Sequence, residues 1–176
     1  MHQKVLKILG DRRLASIATV RADGWPQSTM IGYANDGLLL YFLVSRQSQK
    51  FANLERDGRA ALTIAGDYIE IADICGLSIA ATVAEVRDIG PRETALRLLA
   101  TRHPKFAELG MPGMATAALM RATPTIITVV DFSLGVGHAD VVTVGSGGQM
   151  EMQPARPDDW GLAPSAERQP EIQWRD

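Results

Sequence analysis

The chain has one cysteine, Cys75, among 176 residues, so no disulfide can form within it and the fold must be held by packing alone. That suits a reducing compartment. Flanked by Ile74 and Leu77, the thiol reads as a core group rather than a nucleophile. Histidine is equally scarce: His2, His103 and His138 stand far apart, without metal-ligand spacing or a cysteine pair beside them, which argues against a structural zinc site. No apolar run approaches the roughly 20 residues of a membrane span. The opening MHQKVLKILGDRR has no signal-peptide core either, so a cytoplasmic protein with no membrane partner is expected. An excess of positive charge is missing as well. With 18 Lys and Arg against 20 Asp and Glu, a net charge of -2 and a pI near 5.9, the chain lacks the electrostatic footprint of a nucleic-acid binder.

What the chain does hold is enough length for one domain, which buries roughly 70% of the surface its unfolded form exposes. The pattern centres on Tyr41 to Leu54, YFLVSRQSQKFANL. Leu38 to Val44 is an apolar run suited to a buried strand, and Phe51 and Leu54 fall on one face of a helix, so a strand enters a helix through Ser45, Arg46, Gln47 and Ser48. A helix start carries free N-H groups and a partial positive charge, so it attracts carboxylates and disfavours lysine. Lys50 breaks that preference, and no carboxylate precedes Glu55. Hydroxyls, N-H groups and the cations Arg46 and Lys50 converging on a helix start make a phosphate site, whereas the plain alternative has Ser48 capping the helix and Lys50 in water.

Around this stretch the spacing predicts a short amphipathic helix over residues 2–9, ended by Gly10, then strands over Arg13 to Val20 and Gln27 to Ala34. Asp23-Gly24 and Asn35-Asp36-Gly37 supply the turns. After the central helix, strands are expected over Arg59 to Ala65, Tyr68 to Ala72 and Gly76 to Asp88, the last with small residues on both faces that suit contact with another subunit. A helix from Pro91 should stop at an exposed His103 before Pro104. Residues 105–120 read as an irregular helical segment, Pro124 to Phe132 as a strand, and Val141 to Val144 as a brief one. Beyond residue 144 the chain reads as a polar tail, 145–176, interrupted by prolines and anchored only by Trp160 and Trp174. The fold class is therefore mainly β: a closed or split antiparallel barrel with peripheral helices, over residues 1–144.

The segments DGWPQSTMIGY and DGLLLYFLVSRQSQKFANLERDGRAALTI, with TPTIITVVDFSLGVGHADVV, resemble the pyridoxamine 5'-phosphate oxidase-related FMN-binding split-barrel family. The resemblance implies a homodimer with FMN at the subunit interface, acting as an oxidoreductase on a small molecule with a nicotinamide electron donor. Carried onto this sequence, it puts the phosphate at Lys50, Gln49, Ser48 and Ser45, and the strand Ser28, Thr29, Met30 and Ile31 along the flavin. Many relatives carry Thr where Val44 stands, and strict oxidases carry Arg where Gln49 stands. The Arg-x-His signature that grips pyridoxal phosphate is replaced by Gln173-Trp174-Arg175, so pyridoxamine phosphate itself is not the expected substrate. No catalytic side chain is assigned, since hydride chemistry belongs to the flavin. His138, in a glycine loop, reads as a loop-ordering residue before a proton carrier. The alternative reading is a non-catalytic flavin- or haem-binding barrel, with His2, His103 or His138 as axial candidates.

Overall fold

The computed structural model describes residues 1–110 and 112–153. Helix α1 (His2–Asp11) leads into strands β1 (Leu14–Val20), β2 (Pro26–Asp36) and β3 (Leu39–Ser45), then helix α2 (Gln49–Arg56) and strand β4 (Arg59–Ala65). Strand β5 (Cys75–Glu85), helices α3 (Ile89–Arg102) and α4 (Pro104–Glu108), and strands β6 (Ala117–Asp131), β7 (Ala139–Val144) and β8 (Met150–Met152) complete it. Six strands close into an antiparallel barrel in the order β3-β2-β1-β4-β5-β6, with β6 returning to β3, and β7 and β8 extend the sheet. The expected barrel with helices at its rim is what forms.

Inside, alternate residues of each strand meet: Ile17, Tyr33, Leu40, Phe42, Leu62, Ile79 and Ile127 are fully buried. Helix α2 plugs the barrel with Phe51 and Leu54. Helix α3 lays Ala95 and Leu99 on the outer surface of β2, β3 and β6, against Ala34, Tyr41 and Leu119, which gives the molecule a second apolar cluster.

Strand β6 serves two neighbours in turn. Its first half pairs with β3, Ser45 opposite Ala117 through Leu40 opposite Ala122, and its second half pairs with β7 from Ile126. Pro124, which has no N-H to donate, sits at the hand-over, where the ladder with β5 is also bulged beside Ala80 and Ala81.

Three expectations need correction. Residues Tyr68 to Ala72 are not a strand: the β4–β5 ladder closes at Ala65 opposite Gly76, which leaves them as a loop with a single 3-10 turn, Ile71–Asp73. The segment 105–120 is helical only in α4, and Ala117 to Met120 begin β6 because pairing with β3 outweighs their helix propensity. The sheet also passes the boundary drawn at residue 144, since Met150, Glu151 and Met152 pair with β7. Trp160 and Trp174, and most of the tail expected over 145–176, lie outside the described residues. No helix among the described residues is long and apolar enough to cross a membrane.

Helix α1 is fastened over the barrel by polar contacts. The Leu9 carbonyl accepts from Tyr33 Oη at 3.0 Å and from Arg102 Nη2 at 2.8 Å, which answers its lack of an intrahelical partner. Burial pushes the Tyr33 phenol up to about 12. At the other end of α1, Lys4 donates to the nearly buried Asp131, which also accepts from Ser133 Oγ at 2.6 Å. Burial alone would raise the Asp131 carboxyl, but the hydrogen bonds from Lys4 and Ser133 outweigh it and hold the group below its ordinary value. A carboxyl lowered by folding stabilises fully above its unfolded pKa and loses that contribution as pH falls through the folded one. The wild-type protein should therefore lose stability more steeply than Asp131→Asn in thermal melts taken below about pH 4. Parallel pH slopes would remove Asp131 from the acid response.

Candidate functional site at the β2–β3 split

The barrel wall is incomplete at one place. Strands β2 and β3 pair from Asp36 opposite Leu39 to Tyr33 opposite Phe42 and then part. Below that point Pro26 to Gly32 keep only β1 as a neighbour, and Leu43 to Ser45 keep only β6. Two strand edges with unmatched N-H and C=O groups thus flank an opening, and groups of that kind need partners from water or a ligand.

Helix α2 starts beside this opening. Ser48 is its cap: Oγ accepts from the Phe51 N-H at 3.2 Å and donates to the Ser45 carbonyl at 2.7 Å, while Ser45 Oγ accepts from the Gln47 N-H at 3.2 Å. The N-H groups of Gln49 and Lys50, at the first two positions, are left with no intrahelical acceptor. Lys50 is half-buried, and its Nζ reaches the Met30 carbonyl only at 3.5 Å, across the opening. Among the described residues it has no carboxylate partner, and burial lowers its pKa. A desolvated ammonium beside free N-H groups fits a phosphate.

The other junction cation has a different task. Arg46 pairs with Glu85, donates through Nε to the Met114 carbonyl at 2.8 Å, and lies 5.3 Å from the centre of the Phe51 ring. The junction therefore presents one lysine where the sequence offered two converging cations. Gln49 lies along the helix, donating to Asn53 Oδ1 at 2.9 Å.

On β2 the side chains alternate. Ser28 and Met30 point outward, Met30 being 62% exposed, and Ser28 shares a 2.7 Å hydrogen bond with Ser16. Thr29 and Ile31 turn inward, and Ile31 and Val44 belong to the core, so these three border the opening through their backbones.

Asn53 escaped the sequence reading. It is buried, and its amide donates to Thr19 Oγ1 at 3.0 Å and Gln27 Oε1 at 3.1 Å, tying α2 to the far end of the β1–β2 hairpin. The available signal was an asparagine between Phe51 and Leu54 on the inner face of a helix, where a polar group must find partners. His103 is also corrected: instead of standing exposed it is half-buried, with Nε2 2.9 Å from the Tyr33 carbonyl. His138 contacts Asp140 at 3.3 Å and its carbonyl accepts from the Asp131 N-H, so it orders its loop at the opposite end of β6 from Ser45.

The family model for pyridoxamine 5'-phosphate oxidase matches residues 1–131. The chain belongs to that family. Solved structures carry the same barrel at low identity. A heme-binding protein from Mycobacterium smegmatis is 17% identical with a TM-score of 0.71, over 81% of this chain and 57% of its own, so this oxidase-family chain spans little more than half of that relative. An FAD-binding protein from Mesorhizobium loti is 15% identical with a TM-score of 0.60, over 73% of this chain and 93% of its own. HutZ, the heme storage protein from Vibrio cholerae, is 19% identical with a TM-score of 0.57, over 69% and 88%. At these identities the likeness is one of fold. No curated protein matches the sequence.

Proposed function

We propose that this oxidase-family barrel is an FMN-dependent oxidoreductase that acts on a small molecule as a homodimer, with reducing equivalents from a nicotinamide donor. The observation that carries the reading is Lys50, a half-buried ammonium facing an open strand edge at a helix start with no carboxylate beside it among the described residues. Lys50 and the N-H groups of Gln49 and Lys50 hold the phosphate, with Ser45 and Ser48 shaping the turn. The open edge at Thr29 to Ile31 offers backbone groups to the polar rim of a flavin, and Met30 offers an apolar cover. Bound FMN would supply the hydride chemistry, and the protein would position it and exclude water.

The second subunit is expected on the outer sheet face that begins at the same edge. Met30, Ser16, Thr63, Ser78 and Thr128 form one cross-strand row, and Ser28, Ala18, Ala61, Ala80 and Ile126 the next. Neither row carries a charge, which leaves a flat and cheaply desolvated surface.

Titration with FMN and an absorbance spectrum test the reading. Flavin bands that bleach on addition of a nicotinamide donor are the expected result. A Soret band with added haem and indifference to FMN would overturn it. The same titration should show a pH dependence. Because burial lowers the Lys50 pKa, the ammonium is lost earlier than an exposed lysine's as pH rises, so FMN affinity should fall through the alkaline range. Lys50→Arg, which stays charged, should abolish that fall, and an identical profile in the variant would detach Lys50 from the phosphate.

A further inference from the structure

A cavity of about 270 Å³ lies at the outer mouth of the split, lined by Gly32, Leu43, Leu99, His103 and Phe106. Gly32 and Leu43 sit at the point where β2 and β3 have parted, so the cavity borders the opening described above. A second hollow of about 330 Å³ shares His103 and Phe106 with it and is lined otherwise by Arg13, Pro104 and Lys105. No carboxylate among the described residues lines either one.

We infer that these two adjoining hollows bind a small aromatic carboxylate, its ring against Leu43, Leu99 and Phe106 and its carboxylate toward Arg13 and Lys105. The inner walls are aliphatic and aromatic, and a hollow of this size takes a single ring with its substituents rather than a drug-sized molecule. Phe106 is 43% exposed, an edge that a bound ring would cover. The two cations stand on one side only, which gives the cavity an apolar end and a positive end.

His103 lines both hollows, and its place is built. Arg102, next to it, is anchored on the Leu9 and Arg12 carbonyls, which fixes the end of α3. The Tyr33 carbonyl can only accept, so His103 Nε2 is the donor and Nδ1 is left without a partner among the described residues. The ring approaches β2 closely where residue 32 is glycine: a Cβ there would stand 3.2 Å from His103 Cε1. Glycine weakens a strand, and here it marks that close approach.

The inference rests on the flavin reading only in that a ring bound here would lie beside FMN; the cavity can be tested without flavin. Benzoate and benzamide differ in charge and little in shape. With ring-labelled histidine, the chain gives three histidine signals, from His2, His103 and His138, assigned through His→Gln variants. Benzoate should shift the His103 signal and leave the other two in place, binding at least about tenfold tighter than benzamide. The double variant Arg13→Gln/Lys105→Gln changes two exposed side chains, so it should fold normally and erase the preference for benzoate. Equal binding of the two probes, or shifts that bypass His103, would overturn the inference. Lys50→Ala should weaken FMN without changing benzoate binding, so the two readings can fail separately. Displacement of benzoate by FMN would also overturn a separate pocket.

Discussion

Lys50→Met should weaken FMN binding by about ten- to a hundredfold, the loss expected when a charge-assisted hydrogen bond to phosphate is removed. Fluorescence quenching of FMN by the protein measures it. The fold should not suffer. A lysine whose burial already lowers its pKa is costly to keep charged, and methionine keeps most of its stem, so the thermal midpoint should stay or rise. That pairing of outcomes separates a binding residue from a structural one: lower affinity with an unchanged melt supports the phosphate site, whereas unchanged affinity places the phosphate elsewhere. Ser48→Ala makes a contrast, because Ser48 caps α2 and its loss should lower stability as well as affinity.

Phe42→Ala should cost about 3–5 kcal/mol, the range for deleting a buried aromatic ring and a large share of the roughly 5–15 kcal/mol that holds an ordinary domain together. Phe42 is fully buried and lies between Tyr33 on β2 and Met120 on β6. It also forms the last pair before β2 and β3 separate, so it acts as the stop that keeps the split from running further up the wall. Denaturant unfolding should show the midpoint collapse, and FMN affinity measured under folding conditions should fall with it. A variant with near-wild-type stability would mean that the core closes over the missing ring. Phe42→Leu, which keeps an apolar filler, should recover much of the loss.

Much of this architecture could be read from residue patterns. The Leu38 to Val44 run, the Ser48 cap and the Phe51 and Leu54 pair predict β3, α2 and the side that α2 buries, and those signals are local. Tyr68 to Ala72 misled because alternating apolar residues look like a strand even where no partner strand is within reach. Ala117 to Met120 misled in the opposite sense, since alanine, leucine and methionine favour a helix until β3 supplies a ladder. At the site, Lys50 was conspicuous because it violates a helix-start preference. Arg46 could not be distinguished from it, as Glu85 and Met114 are remote in sequence. The His103 cavity was invisible for the same reason: Gly32, Leu43, Leu99 and Phe106 meet only when α3 lies down on the barrel.

A fully closed barrel offers no unpaired strand to a neighbouring molecule. Among the described residues this one keeps an open length of β2 from Pro26 to Gly32 facing the short β3 edge Leu43 to Ser45, whereas the outer margin at β8 is only Met150–Met152 and is blunted by Glu151. Exposed strand margins recruit strands from other chains, and short or charged ones resist it. A flavin bound in the split, as proposed above, would cover that margin and so also act as a guard against aggregation. If that flavin is the occupant, cells short of it should lose this protein to misassembly before they lose it to unfolding.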